Sequence, residues 1–186
     1  KLYLGRVTIE EESSFWVENM SRLTDLVWDS CPLRCMPAYF RPEYLVYLSM
    51  RDSKLEKLWE GAQSLGNLKE LSLSGSENLS EFPNLSKVTN LEKLYLDNCY
   101  RLVTVPSSIQ SLDKLTELSM EKCLRLQSLP TNVDLKSLKF LSLIGCEGLR
   151  CFPRISRSVE SLYLDHTRRE SLFHGSRIYL SSLHSR

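Results

Sequence analysis

Apolar residues recur along this chain in a six-residue pattern, Leu-x-x-Leu-x-Leu, in which most of the intervening positions are polar. Five clear copies begin at Leu45, Leu68, Leu91, Leu115 and Leu138, and looser copies begin at Leu23 and Val159. Successive copies start 21 to 24 residues apart. Alternating apolar and polar positions are typical of a β-strand with one buried face. The pattern therefore predicts seven short strands, one in each copy.

A small side chain follows every copy, three residues after its last apolar position. These side chains are Cys31, Ser53, Ser76, Cys99, Cys123, Cys146 and Thr167. A small side chain at this slot can bond to loop backbone that has left the strand. Prolines follow further on, and since proline has no N–H to donate, they end any ladder: Pro37, Pro83, Pro106, Pro130 and Pro153. This combination, at a period within about 20–29 residues, indicates leucine-rich repeats.

One such coil cannot bury its own leucines, so neighbouring coils must stack. We predict an α/β leucine-rich-repeat solenoid, with a curved parallel β-sheet on the concave face and loops and short helical turns on the convex face. Ser107 to Gln110 is expected to open one helical turn through a capping box, and residues 84–87 to start another. One column of leucines should point inward: Leu26, Leu48, Leu71, Leu94, Leu118, Leu141 and Leu162.

The repeats are expected over residues 23–167, as about seven coils. Leu2 and Leu4 lie 24 residues before Leu26 and Trp28, so residues 1–22 are predicted to be a truncated leading repeat followed by an irregular loop. The first residue is not Met, and we expect the chain to be part of a longer protein.

The pattern fails after Thr167. Arg169 stands where other coils carry leucine, and an unpaired buried arginine would cost several kcal/mol, on the order of the penalty for any buried lone charge. Residues 168–186 are therefore predicted to be a degenerate segment that frays.

Charge and hydropathy restrict the partners. The chain has 24 basic and 23 acidic residues, a net charge of +1, so no global field attracts nucleic acid or an anionic membrane. No apolar run approaches the roughly 20 residues that cross a bilayer. We expect a protein partner, with neither nucleic acid nor membrane.

Six cysteines are present, and four of them occupy the small-residue slot: Cys31, Cys99, Cys123 and Cys146. This placement favours buried, reduced thiols in a reducing compartment over disulfides. Cys35 and Cys151 lie outside the slot and have no assigned role.

No constellation of catalytic, cofactor-binding or metal-binding residues accompanies the repeats. The three histidines lack partners at metal-ligand spacing, and no phosphate-binding loop is present. We therefore expect no enzymatic activity, no cofactor and no metal.

The segment from Phe40 to Gly61, which ends in Lys57-Leu58-Trp59-Glu60-Gly61, is more specific than a generic repeat. Together with residues 84–91, 102–109 and 146–153, it resembles plant disease-resistance receptors of the TIR, nucleotide-binding, leucine-rich-repeat class, over about residues 20–167. The resemblance implies a recognition module of an intracellular immune receptor. In such receptors the repeats sense a pathogen effector and help hold the nucleotide-binding switch inactive, in the cytoplasm and also in the nucleus.

A second class remains open: a generic intracellular leucine-rich-repeat scaffold or ubiquitin-ligase substrate adaptor. An upstream domain would separate the two classes, because a nucleotide-binding switch favours the receptor and an F-box the adaptor.

Residues that flank the inward leucines should form three outward columns on the concave face, with seven acidic and two basic side chains. Aromatic residues within an acidic field are typical of an interface centre. We predict a basic protein partner, either an effector or the receptor's own nucleotide-binding domain, docked between the fourth and seventh coils. The candidate binding residues are Tyr47, Arg51, Tyr95, Asp97, Glu121, Phe140, Tyr163 and Asp165. Alternatively, the aromatic rings only cover neighbouring strands. Trp59 is interpreted as packing between coils.

Overall fold

The computed structural model describes residues 1–4, 22–130, 135–150 and 156–167. Their strands form one parallel sheet in which strand order follows chain order. The strands are β1 (Leu2–Tyr3), β2 (Asp25–Val27), β3 (Tyr47–Ser49), β4 (Glu70–Ser72), β5 (Lys93–Tyr95), β6 (Glu117–Ser119), β7 (Phe140–Ser142) and β8 (Ser161–Tyr163). The predicted parallel solenoid is confirmed.

The strand register places the central leucine of every coil in one column. Leu26 pairs with Leu48, and the same alignment continues without a slip to the pairing of Leu141 with Leu162. Leu2 pairs with Leu26, which confirms that the first residues belong to a leading coil. The column is buried from β2 to β7, and Leu162 is partly buried against the core.

Hydrogen bonds between coils extend past the strands on both sides. After β2, the Trp28 amide donates to the Ser49 carbonyl over 2.8 Å, and the Ser30 amide donates to the Arg51 carbonyl over 2.7 Å. On the far side of the coils, Thr104 pairs with Ser128 as a parallel bridge. Similar bonds run from the Glu56 amide to the Arg34 carbonyl and from the Ser80 amide to the Glu56 carbonyl. Coils joined in this way are held at two places, which satisfies backbone groups that a three-residue strand leaves open.

The core lies between these two ladders and consists mainly of leucine side chains. Trp59 is buried in it, and its indole N–H donates to the Asn84 carbonyl over 3.3 Å. This confirms that Trp59 packs between coils.

A sharp turn follows every strand from β2 to β8, and the residue before the small-residue slot has a left-handed backbone. The φ angle is 78° at Gly75 and 70° at Gly145, where glycine meets no steric cost, but it is also positive at five non-glycine residues. Those residues are Ser30, Asp52, Asn98, Lys122 and His166. The turn directs the slot residue that follows it into the core, where all seven slot residues are buried.

Two predictions about helical turns need correction. A 3₁₀ helix does form at Ser107–Ser111, but it starts after Pro106 and no side chain caps it, so the capping box is wrong. Residues 84–87 form a single turn and no helix: the Val88 amide donates to the Leu85 carbonyl over 2.9 Å, and the turn does not continue. Asn84 Oδ1 accepts hydrogen bonds from the Ser86 amide and hydroxyl at 3.2 and 2.8 Å at the start of this turn.

The predicted irregular loop within residues 5–21 and the predicted fraying after residue 167 lie outside the described residues, as do Cys151 and Arg169. The proposed division of the chain into three segments stays a prediction.

Candidate functional site

The outward residues of the strands and of the turns behind them form one surface, here called the sheet face. Its first column is the first residue of each strand from β2 to β8, and its second column is the third residue of those strands. Its third column lies just past the strands, in the turns: Asp29, Arg51, Ser74, Asp97, Glu121, Ile144 and Asp165.

The second column is less exposed than its outward direction suggested. Four of its serines are buried: Ser49, Ser72, Ser119 and Ser142. These short side chains are covered by larger side chains around them. An outward direction alone therefore did not predict exposure.

Acidic residues of the third column accept hydrogen bonds from the next coil. Asp97 Oδ1 accepts the Ser119 hydroxyl at 2.5 Å and the Glu121 amide at 2.8 Å. Asp29 Oδ1 accepts the Ser49 hydroxyl at 2.7 Å in the same way. These acids therefore join adjacent coils as well as carrying charge.

Glu121 repeats the arrangement, since its Oε1 accepts the Ser142 hydroxyl at 2.7 Å. These pairs were not predicted, although the sequence carries a signal for them. An acid two residues past a strand is followed 20 to 22 residues later by a serine in the next strand.

Tyr95 is half-buried, and its hydroxyl donates to Glu117 Oε2 over 2.6 Å. Lys93 Nζ lies 3.3 Å from the other carboxylate oxygen of Glu117. Burial, followed by the hydrogen bond to Glu117, raises the pKa of Tyr95 above its usual value. This phenol therefore stays protonated and is held in place by its partner.

A pair of aromatic side chains lies at β7 and β8. The rings of Phe140 and Tyr163 are 5.4 Å apart with an interplanar angle of 43°, a tilted pair. Tyr163 is 42% exposed and Phe140 is half-buried. Asp165 is exposed just past β8, and its carbonyl accepts the Gly145 amide at 2.8 Å. The structure therefore brings Phe140 and Tyr163 into contact, with Asp165 two residues further along the chain, and their role in binding stays a prediction.

The other predicted binding residues are distributed along the sheet. Tyr47 is half-buried and Arg51 exposed, both in the β3 coil. With about 4.8 Å between neighbouring strands, β3 lies about 24 Å from β8, so these residues cannot contact the same small group as Tyr163. They can contribute only to an extended interface.

The slot thiols of adjacent coils form a buried ladder. The Cys123 thiol donates to the Leu96 carbonyl over 3.2 Å, and the Cys146 thiol donates to the Met120 carbonyl over 3.0 Å. Burial raises the pKa of Cys99 and of Cys146 to about 12. The burial predicted for these cysteines is confirmed, and such thiols are poor nucleophiles.

In the part of the chain that the structure describes, no group of three or more His, Cys, Asp or Glu side chains is arranged to hold a metal ion. Likewise, no helix of these residues has the length and apolar content that crossing a membrane requires.

Comparison with known proteins agrees with the fold. Two family models described as Leucine Rich Repeat match residues 44–63 and 90–112. A leucine-rich-repeat protein of Leptospira interrogans has 17% sequence identity and a TM-score of 0.36, over 86% of this chain and 59% of that chain. The latter likeness is too weak to carry an argument.

Several similar proteins come from Arabidopsis thaliana. Disease resistance protein RPP5 is 53% identical over 168 residues, and disease resistance protein RML1A is 45% identical over 178 residues. Those matches cover 90% and 94% of this chain but only 12% and 18% of the relatives. The protein SUPPRESSOR OF npr1-1, CONSTITUTIVE 1 is 50% identical over 168 residues, which is 90% of this chain and 12% of that protein. The chain therefore belongs to the plant disease-resistance proteins and corresponds to a leucine-rich-repeat part of them.

Proposed function

We propose that this chain is the protein-recognition module of an intracellular plant immune receptor and acts in the cytoplasm and the nucleus. It senses a pathogen effector, contributes to autoinhibition of the receptor's nucleotide-binding switch, or does both. The observation that carries the proposal is the 53% identity to a disease-resistance protein across 90% of the chain.

The sheet face is the proposed binding surface, and its partner is a basic protein surface. Seven acidic and two basic side chains occupy its three columns, so attraction to a basic partner follows. The tilted pair of Phe140 and Tyr163 supplies an apolar anchor beside Asp165. Asp97 and Glu121 shape the surface through their bonds to the next coil and add negative charge.

The test replaces Tyr95 and Tyr163 together by Ala in the full-length receptor, expressed in leaf tissue. We expect weaker effector-dependent cell death or, if the face holds the switch inactive, cell death without effector. Two anchors of this kind contribute about 2 kcal/mol or more to binding. Tyr44→Ala is the matched control, because Tyr44 is 56% exposed but lies outside the strands.

Tyr95→Phe separates two roles of that residue, because it keeps the ring and removes the bond to Glu117. Unchanged signalling in the double variant, with receptor accumulation equal to the original, would mean that the sheet face is structural only.

A further inference from the structure

A second surface lies beside the sheet face, in the turns that follow β5, β6 and β7. We call this surface the basic edge. Five exposed side chains define it: Arg101, Lys122, Leu124, Arg125 and Arg150. None of its four cations forms an ion pair with a described residue, whereas Lys69, Lys93 and Lys139 each pair with a glutamate.

Hydrogen bonds on both sides bring these turns into alignment. On one side, the Asn98 amide donates to the Glu121 carbonyl over 2.7 Å. On the other, the Gln127 amide donates to the Val103 carbonyl over 2.9 Å. Arg101 and Arg125 therefore occupy equivalent positions in adjacent coils, with backbones about 5 Å apart.

Arg150 extends the edge into the next coil, where its amide donates to the Gln127 carbonyl over 2.8 Å. Lys122 adds a cation at a left-handed backbone position, φ 54°, where the coils of β4 and β7 have glycine. A cation is thus present at a place where glycine would fit without strain.

Leu124 is 44% exposed and lies between Lys122 and Arg125 in the chain. The equivalent positions in neighbouring coils carry Tyr100 and Glu147, so the repeat itself does not require leucine there. Glu121 directly precedes Lys122 in the chain, and Glu147 stands at the position equivalent to Leu124. Within the described residues, neither acid forms an ion pair with the cations of the basic edge.

We propose that the basic edge is a docking surface for an acidic protein segment that places an apolar side chain over Leu124. Cations that pair with no described residue attract carboxylates, and an exposed leucine among them gains from apolar contact. A nucleic-acid backbone would meet the cations and leave Leu124 in water, so a protein partner is favoured. This surface is independent of the sheet face, which attracts the opposite charge.

The test uses the full chain and a fluorescein-labelled acidic probe peptide, Glu-Glu-Leu-Glu-Asp-Leu-Glu, followed by fluorescence anisotropy. A matched peptide carries Gln and Asn in place of the acids. We expect the acidic peptide alone to bind at about 50 mM salt and to weaken at about 300 mM, as screening increases.

Arg101→Glu with Arg125→Glu should weaken binding by about tenfold or more, and Leu124→Ser by about threefold. The control pair is Lys87→Glu with Lys136→Glu, which makes the same charge change at two exposed lysines in return segments. That pair should stay within about twofold of the original. Tyr163→Ala should leave peptide binding unchanged, which separates this surface from the proposed receptor interface.

The variants are first compared by thermal unfolding. If the reversed arginine pair is unfolded, Arg101→Gln with Arg125→Gln replaces it, with an expected loss of about threefold. An equal loss in the lysine control pair, or no binding of the acidic peptide, would overturn the proposal. Tighter binding of a single-stranded oligonucleotide or of phosphatidylserine vesicles would overturn it in favour of those partners.

Discussion

Asp97 joins three consecutive coils through its carboxylate. Its Oδ1 accepts the Ser119 hydroxyl and the Glu121 amide, and its Oδ2 accepts the Ser74 hydroxyl at 3.4 Å. Ser119 is buried, so its hydroxyl has little access to water. A residue that charge and position select as a binding group is thus also structural.

Asp97→Ala should lower the free energy of unfolding by about 2 kcal/mol, because buried donors lose a charged acceptor. Asp165→Ala, at an exposed equivalent position, should change it by less than about 0.5 kcal/mol. Urea denaturation of both variants measures the difference. Equal effects would mean that the bonds of Asp97 contribute no net stability.

The buried slot thiols should make the free energy of unfolding fall as the pH becomes alkaline. The pKa of Cys99 rises from 9.0 to about 12 on burial, so the folded chain keeps its proton after the unfolded chain has lost it. The contribution is therefore complete below about pH 9 and is lost between pH 9 and 12.

Each such thiol should lower the free energy of unfolding by about 1.4 kcal/mol per pH unit in that window. Cys99→Ala with Cys146→Ala should flatten the dependence, at a cost in packing at neutral pH. Urea denaturation from pH 8 to about pH 11 measures both. An unchanged slope in the variant would contradict the assignment.

At the scale of the coil, close packing between turns limits which side chains fit. A Cβ on Gly148 would lie 2.6 Å from the Leu124 carbonyl oxygen and 3.0 Å from that of Leu126. Both are backbone atoms, which cannot rotate away. Gly66, in contrast, has nothing within 4 Å of such a Cβ.

Gly148→Ala should therefore destabilise the chain by about 1–3 kcal/mol, the usual cost of overpacking. Gly66→Ala should be neutral or stabilise it by up to about 1 kcal/mol, through the unfolded state. Thermal unfolding of the two variants tests this, and a tolerated Gly148→Ala would mean that the turns separate easily.

At the scale of the whole molecule, every coil contacts its neighbours in the same register, so stability depends on stacking rather than on any one coil. Removing residues 91–114 would join Asn90 to Leu115 and keep the repeat phase. Removing only residues 103–114 would lose the second half of a coil.

The whole-coil deletion should keep a cooperative unfolding transition and the same type of circular dichroism spectrum, with lower stability. The half-coil deletion should abolish the transition, because it removes Thr104 and leaves Ser128 without its bridge partner. Two deletions of equal effect would contradict a nearest-neighbour stack.

The period of the leucines by itself determined the strands, their parallel order and their register. A period of about 23 residues leaves one alignment that buries every central leucine, and a slip by one residue would turn them all outward. The same logic identified the slot cysteines, the leading coil at Leu2 and the packing of Trp59.

Only the tertiary structure decided which outward residues are accessible. Exposure of Ser119 or Tyr95 depends on side chains from the neighbouring coils, more than 20 residues away in the chain. The helix cap predicted at Ser107 failed for a local reason, because the helix starts directly after Pro106 and Ser107 lies inside it. Burial of the leucines follows from their own hydrophobicity. The shape of the surface and the exposure of its charged side chains follow from contacts between repeats, which no single repeat contains.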